Sequence, residues 1–429
     1  MAKSFAKQCW WILNNLNPMD DVRSVDDYLE AHPDAHAVRL ARATCGALRK
    51  FMEGHGERGY ASPLTSDSLD QRLLKYKFPG CMPVNFSRHN LDQIQNSPDN
   101  AYYVSEKTDG VRYLMVFTGD TVVLVDRAME GRRLKAKDEP MASVLKLIQP
   151  GTVLDGEVVL NRKLNRPIFI VFDVLAINAT TPVLQLPFEE RLNHLRKSSF
   201  RTSEKDVFDN VDPSVALPLV RKKFCKRTDI DDLLNKVVEE KGLRSYRNGD
   251  LHYHLTDGII FQPNKAYVCG TDHSLLKWKY LDTVTMDVQI LPLRPNDDDD
   301  VLRVACLGDD GGLVEISTRH MAMPMSERLR MEADRATTGG SIAEIGFHPQ
   351  VGSWYYSLIR SDKTEPNHIS TIMGTLLELA ENLTTEELRY RMSVPANARD
   401  NFRRDVKGMM TQVLHHQRQR VKATRAQKK

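Results

Sequence analysis

Apolar residues recur at helical spacing early in the chain. Val38, Leu40, Ala41, Leu48 and Phe51 fall on one stripe between residues 37 and 52, and residues 22–29 carry the same period, so both stretches predict helices. From Lys77 the pattern shortens. Residues 101–105, 113–117, 122–125, 153–154, 158–160 and 168–174 read as short strands, with Thr118-Gly119-Asp120 a hairpin turn between two of them. Helices are expected at 188–197 and 228–241, the second with Leu233, Leu234, Val237 and Val238 as its apolar face. A second shift falls at 291–302, where Pro292, Pro295 and the run from Asp297 to Asp300 mark a linker. Beyond it, 301–307, 313–317, 342–347 and 354–359 read as strands of a small barrel or sandwich. Residues 372–383 and 385–392 read as helices. No internal repeat is present.

Composition changes this picture in three places. A chain of 429 residues has room for two or three domains. Its apolar runs are too short to span a bilayer, and its first residues lack the apolar core of a secretion signal, so neither a membrane nor an extracellular setting is expected. The six cysteines are scattered without a CxxC pair, which fits reduced thiols better than disulfides or zinc. The net charge of +3 hides an asymmetry: residues 403–429 hold nine Lys or Arg and one acid, a balance of +8, and the remainder sums to −5. A basic tail on a mildly acidic body suits a polyanionic partner, or simply a solvated tail.

The residues that carry chemistry sit in or beside the strand-like runs. Lys107, in Glu106-Lys-Thr-Asp-Gly110, follows one strand and precedes another. A lysine is a nucleophile only when uncharged, so it needs cationic neighbours or a metal. Asp155-Gly-Glu157 reads as a turn between two strands, where a carboxylate could meet a metal or a ribose hydroxyl. Phe172 lies beside Asp173 in a buried strand. Asp257 opens the apolar run of Thr256-Asp-Gly-Ile-Ile-Phe261. Lys277 and Lys279 alternate along Leu275-Leu-Lys-Trp-Lys279 and so share one face, where two ammonium groups repel unless they share an anion such as phosphate. Arg360-Ser-Asp-Lys363 ends the series. Taken singly, each has a plainer reading as a surface lysine, a hairpin turn, a core strand or a charge cluster.

In this order, however, the six elements resemble the covalent nucleotidyltransferase superfamily of capping enzymes and polynucleotide ligases. Within it the chain is most similar to the mRNA guanylyltransferases. Phe78-Pro-Gly-Cys-Met-Pro-Val84 resembles the F-P-G-x-Q-P-V entry segment of cellular capping enzymes. Phe261-Gln-Pro, Tyr267, Gly270 and Leu276-Lys-Trp-Lys279 resemble a later stretch, and Trp354 with Arg360-Ser-Asp-Lys-Thr-Glu-Pro-Asn367 resembles the family's ending. The resemblance covers residues 75–385. It departs in two places: Leu358 stands where a second arginine is frequent, and Met82 stands where glutamine is common, a change expected to matter little.

The resemblance implies an α+β fold: a nucleotidyltransferase core of ATP-grasp-like, ligase-type antiparallel sheets with flanking helices, followed by an OB-fold β-barrel domain. It divides the chain into a helical extension at 1–70, the nucleotidyltransferase domain at 71–284, the barrel at 285–385, and a helix with the basic tail at 386–429. It implies that Lys107 attacks the α-phosphorus of GTP to form a lysyl-N-GMP intermediate, which passes GMP to the 5′-diphosphate end of RNA. Arg112 and Glu157 would serve the ribose, Phe172 would stack on guanine, and Asp257 with Glu157 would hold Mg²⁺ or Mn²⁺. Lys277 and Lys279 would hold the α-phosphate and keep the Lys107 amine neutral. Arg360, Asp362 and Lys363 would serve the β- and γ-phosphates after closure of a cleft, with the acidic linker near a hinge. Expected partners are GTP and diphosphate-ended RNA, an RNA triphosphatase and a methyltransferase on other chains, and the RNA polymerase II C-terminal tail. A nuclear location is expected, or a cytoplasmic one for a virus-encoded enzyme. The rival readings are an ATP-dependent ligase and a non-catalytic RNA- or polymerase-binding homologue.

Overall fold

The computed structural model describes residues 29–31, 36–53, 77–119, 121–134, 148–178, 181–196, 207–210, 215, 217–295, 302–317, 321–348 and 351–393. The chain forms two compact units. One comprises residues 2–84 and 98–277, the other residues 85–97 and 278–429. The acidic run from Asp297 to Asp300, the basic run from 403 onward and most of residues 1–70 lie outside the described residues.

The described elements run β1 (Leu29–Ala31), α1 (His36–Met52), β2 (Cys81–Asn85), α2 (Arg88–Gln95), β3 (Tyr102–Thr108), β4 (Val111–Phe117), β5 (Val122–Val125), β6 (Gly131–Leu134), β7 (Val153–Asn161), β8 (Arg166–Asn178) and β9 (Thr181–Pro182). They continue with α3 (Phe188–Arg196), β10 (Leu219–Arg221), β11 (Cys225–Lys226), α4 (Ile230–Leu234), β12 (Val237–Glu240), β13 (Leu243–Arg247), β14 (Tyr253–Pro263) and β15 (Gly270–Lys279). The last group is β16 (Thr285–Ile290), β17 (Val304–Leu307), β18 (Leu313–Glu315), α5 (Met325–Thr338), β19 (Ile342–His348), β20 (Ser353–Ile359), α6 (Ile369–Glu381) and α7 (Thr385–Ser393).

Two sheets build the first unit. One has the order β1-β6-β5-β4-β7-β8-β10, with β9 beside β8. The other has the order β11-β3-β14-β13-β12, with β15 beside β14 and β2 beside β15. Strand β4 is apolar from Tyr113 to Phe117 because both of its faces are covered there. Tyr113, Met115 and Phe117 enter a core with Phe169 and Phe188, while Leu114 and Val116 enter another with Val38, Ala41 and Leu48 of α1. A strand buried on both faces loses the apolar–polar alternation of a half-exposed one. The stripe on α1 therefore meets the underside of β4 and β5.

In the second unit β16, β17 and β18 form a meander. Helix α5 follows, and β19 then pairs back onto β16. This is the strand order and helix position of an OB-type barrel. Met286, Val288 and Ile290 alternate into its core against Val304, Ile345, Trp354 and Tyr356. Helix α2 joins this unit through buried charge. The Arg88 guanidinium forms a bidentate pair with Glu387 of α7, and its Nε donates to the Glu381 carbonyl at 2.8 Å. The Arg88 backbone N–H donates to the Glu381 carboxylate at 2.8 Å.

Two expectations need correcting, and one helix is new. The predicted helix over 228–241 is only α4, five residues long, followed by the hairpin β12–β13. Val237 and Val238 are β-branched and pair across to Tyr246 and Ser245, and Lys241-Gly242, both with positive φ, supply a turn that a helix could not contain. Asp155-Gly-Glu157 is not a turn but the middle of the continuous strand β7, where the ladder to β8 shifts register between Asp155 and Gly156. Helix α5 was not foreseen. It buries only Met331 among its fourteen residues, so it carries no apolar stripe to read; its signals are Pro324 at its start and left-handed Gly339 at its end.

Candidate active site

Strands β3 and β14 lie side by side, with Gly258 opposite Lys107. Their ladder shifts register between Thr256 and Gly258, which leaves Asp257 in the irregularity. The Thr256 hydroxyl donates to the Lys107 carbonyl at 2.8 Å and fixes this kink. The result is a direct contact: Lys107 Nζ donates to both Asp257 oxygens, at 2.6 and 2.9 Å. Asp257 is buried, whereas the Lys107 side chain keeps about a fifth of its surface open, at 21%.

Alternation along β3 sends Glu106 to the opposite side, where it is fully buried. It accepts from His254 Nε2 at 3.1 Å and from the Thr108 hydroxyl at 3.2 Å, and Lys222 Nζ lies 3.4 Å away. Burial pushes its acidity down, but Lys222 and then His254 outweigh that and bring its pKa to about 2. Lys222 also donates to the Thr108 hydroxyl, and its ammonium lies 6.0 Å from the centre of the Phe172 ring.

Arg112 on β4 faces Glu157 across the β4–β7 ladder. Its guanidinium does not pair with Glu157. It forms a bidentate bond to fully buried Asp155, at 2.9 and 2.6 Å, and donates Nη1–H to the Cys81 carbonyl at 2.5 Å. Met82 Sδ takes a further contact from Nη1 at 3.7 Å, so this departure from the family pattern lies at Arg112 itself. Phe78 and Phe172 lie near the same guanidinium, with ring centres 5.5 and 5.3 Å from it. Burial alone would lower the arginine's pKa, but Asp155 raises it well above normal, so the charge is permanent.

Among the described residues no cation pairs directly with the Glu157 carboxylate. Burial raises its pKa, and Lys222, Lys107, Arg112 and Arg127 pull against that rise. Arg127, in the turn after β5, has its pKa lowered by desolvation and then by the like charge of Arg112. Two guanidinium groups that repel one another, two lysines and a carboxylate within electrostatic reach of each other form a setting for a polyanion.

Among the described residues no group of three or more His, Cys, Asp and Glu side chains gathers around one point. Asp257 and Glu157 supply the hard carboxylate oxygens that a divalent ion of the Mg²⁺ class takes. Such an ion commonly takes one or two protein carboxylates and completes its octahedron with water and substrate phosphates.

The structure thus brings together Lys107, Asp257, Arg112, Glu157 and Phe172. Lys277 lies on β15, the neighbour of β14, and belongs to the same unit. Lys279 falls just beyond the division, in the second unit. Arg360, Asp362 and Lys363 also belong to the second unit and form a cluster there. Arg360 Nη1 donates to both Asp287 oxygens, at 3.0 and 3.1 Å, Arg360 makes a bidentate pair with Asp362, and Lys363 Nζ donates to Asp287. Leu358 is buried in that unit's core and supplies no cation.

Sequence reasoning missed Lys222, Arg127 and Asp287, and it gave Asp155 and Phe78 no partner. Lys222, Arg127 and Asp287 sit outside the motifs, and for all five only the fold reveals the neighbours. The signal for Asp155 was its spacing two residues before Glu157 on a continuous strand.

Residues 64–281 match the family model described as "mRNA capping enzyme, catalytic domain", and residues 294–389 match "mRNA capping enzyme, C-terminal domain". The chain is 29% identical over 370 residues to the mRNA-capping enzyme subunit alpha of Saccharomyces cerevisiae, covering 72% of this chain and 77% of that one. It is 26% identical over 356 residues to the subunit of the same name from Neurospora crassa, covering 72% and 83%. It is 25% identical over 377 residues to the mRNA-capping enzyme of Danio rerio, covering 83% of this chain and 58% of the fish protein.

Proposed function

Because the chain belongs to the mRNA capping enzymes and is an RNA guanylyltransferase, we propose that Lys107 is its covalent nucleophile and that GTP is the nucleotide it consumes. The observation that carries this reading is the Lys107–Asp257 contact at 2.6 Å, set across two paired strands beside Glu157 and Arg112.

In the first step the Lys107 amine attacks the α-phosphorus of GTP. A P–N bond forms, the bond to the β-phosphate oxygen breaks, and pyrophosphate leaves. In the second, a terminal oxygen of diphosphate-ended RNA attacks the same phosphorus and the lysine departs. Such chemistry is governed by positioning and charge neutralisation. Lysine attacks only as the free amine, so the resting ion pair with Asp257 must open first. Lys277 and Lys279 then take the α-phosphate.

Phe172 stacks on the base, contributing about 1–3 kcal/mol by comparison with other base–aromatic contacts. Lys222, beside that ring, offers a donor to a purine edge that carries an oxygen, and this favours guanine over adenine. Arg112 keeps one Nη1–H pointed at a thioether, a weak acceptor, which a ribose hydroxyl can displace. Arg360 and Lys363 take the β- and γ-phosphates, in exchange for their contacts to Asp287. Asp257 and Glu157 would hold Mg²⁺ or Mn²⁺, which would supply neutralisation of phosphate charge.

We keep 71–284 as the nucleotidyl-transfer region and 285–385 as the barrel, with a nuclear site of action. The triphosphatase and methyltransferase activities are assigned to partner chains, and the RNA polymerase II C-terminal tail is kept as a partner of this one.

The test is covalent labelling with α-labelled GTP or ATP and a divalent metal, followed by denaturing electrophoresis. Label from GTP alone, absent in Lys107→Ala and discharged onto diphosphate-ended RNA, is expected. Label from ATP instead would move the chain to the ligase reading. A folded protein that takes no label from either nucleotide would overturn the assignment of Lys107.

A further inference from the structure

Behind Arg112 runs a buried polar chain that none of the steps above uses, and Tyr267 is its centre. The residue lies in the connection between β14 and β15 and is 4% exposed. Its hydroxyl donates to Asp155 Oδ2 at 2.7 Å, accepts the Cys81 backbone N–H at 2.7 Å, and lies 3.4 Å from Arg112 Nη2. Its own backbone N–H donates to the Leu184 carbonyl at 2.8 Å, which fixes the loop. The Arg191 guanidinium lies 5.4 Å from the centre of its ring, and Arg191 is itself held by Asp173 through two bonds of 2.8 Å. Asp173 follows Phe172 directly. Burial, then the charge of Asp155, pushes the phenol well above its usual range, so it remains a hydrogen donor.

One hydroxyl therefore joins three segments that are distant in sequence: the entry segment at Cys81, the arginine strand at Arg112, and β7 at Asp155. Asp155 and Cys81 are also the two groups that hold the guanidinium, and Arg112 has few donors left over. Rotating the Asp155 carboxylate would rotate the guanidinium plane with it, and the Tyr267 hydroxyl is what blocks that rotation.

We propose that Tyr267 is a positioning residue for sugar recognition: its hydroxyl sets the plane of the Arg112 guanidinium and thereby fixes how strongly the enzyme prefers a ribonucleoside triphosphate to its deoxy analogue. This rests on the reading of Arg112 as the ribose contact.

The test is Tyr267→Phe, with GTP and 2′- or 3′-deoxy-GTP competing for covalent labelling in one tube, below the variant's melting range. The product ratio does not depend on how much protein is folded. The ratio is expected to fall about fivefold, the worth of one hydrogen bond. KM for GTP is expected to rise and kcat to hold. The melting temperature also falls, because the Cys81 N–H loses its acceptor. A lower melting temperature with an unchanged ratio would overturn the proposal and leave Tyr267 as a structural residue. Arg112→Lys in the same assay tests the underlying reading: an unchanged ratio there means the sugar is read elsewhere and removes the premise, whatever Tyr267→Phe does. Should Tyr267→Phe not fold, 4-aminophenylalanine at position 267 keeps the ring and a hydrogen donor toward Asp155 but makes that donor a weaker one. It is expected to lower the same ratio roughly twofold, and no change would overturn the proposal.

Discussion

Lys107 and Asp257 lie 150 residues apart in the chain and meet through two bonds of 2.6 and 2.9 Å from one ammonium to one carboxylate. Asp257 reaches the lysine because the β3–β14 ladder slips at that point. A regular ladder would turn the side chain elsewhere. Asp257→Asn keeps the shape and removes the charge that orients the amine and suits a metal. Label formation is expected to drop by about a hundredfold or more, with the melting temperature close to that of the wild type. A labelling time course beside a thermal melt checks both, and near-normal labelling would sink the role given to Asp257.

Asp155 and Arg112 form an ion pair with 0% and 6% of their side chains exposed. Removing one member of such a pair leaves a buried charge, at a cost of about 3–5 kcal/mol. Asp155→Ala is therefore expected to lower the urea midpoint sharply. A loss under about 1 kcal/mol would mean that water reaches the guanidinium.

In the second unit, Arg88 and Glu387 are 2% and 6% exposed. Arg88→Met is expected to destabilise that unit by about 3–5 kcal/mol. The double variant Arg88→Met, Glu387→Leu is expected to recover much of that loss, because no lone charge remains buried. Unfolding followed by a probe in the barrel region decides between additive and compensating outcomes.

Asp287 gathers Arg360, Lys363 and Asn367 around one carboxylate. Asp287→Asn is expected to slow label formation about tenfold by letting the two cations drift. Single-turnover labelling with saturating GTP measures this directly. An unchanged rate would show that phosphate alone suffices to orient them.

Acid stability follows from Glu106. Its carboxyl stands at about 2 in the fold against an ordinary value of 4.5. A lowered carboxyl stabilises the fold above the unfolded value and loses that contribution as pH falls from about 4.5 toward about 2. Burial lowers the His252 pKa below its ordinary value, so its contribution also fades as the solution turns acidic. Lys222→Met removes the main cation acting on Glu106. The midpoint of acid unfolding, read by circular dichroism, is expected to move up by roughly half a pH unit. A midpoint that stays in place would exclude Lys222 as the cause.

How far these features were legible from the chain depends on how local their signals are. Lys107, Phe172 and Asp257 each sit in or at the mouth of an apolar strand, so their motifs could be read where they stand. The α1 stripe was legible for the same reason, because its period survives one-sided burial. Helix α5 was not, since a helix that buries a single methionine shows no period. The 228–241 stretch was misread because Leu233, Leu234, Val237 and Val238 fit a helical face as well as a short helix plus a strand. Only the turn at Lys241 and Gly242 separates the two. Asp155, Lys222 and Tyr267 act through partners dozens of residues away. No window along the sequence contains both ends of those contacts.

The division of the chain into 2–84 with 98–277, and 85–97 with 278–429, has a practical consequence for dissection. Neither half is a continuous stretch, so no single cut releases an intact one. A fragment beginning at Trp278 would carry the barrel strands and α7 but not α2. Glu387 and Glu381 would then face a vacant groove shaped for the missing Arg88. Supplying residues 85–97 as a separate peptide should fill that groove, which turns the segment into a detachable plug whose affinity reports the cohesion of the half it completes.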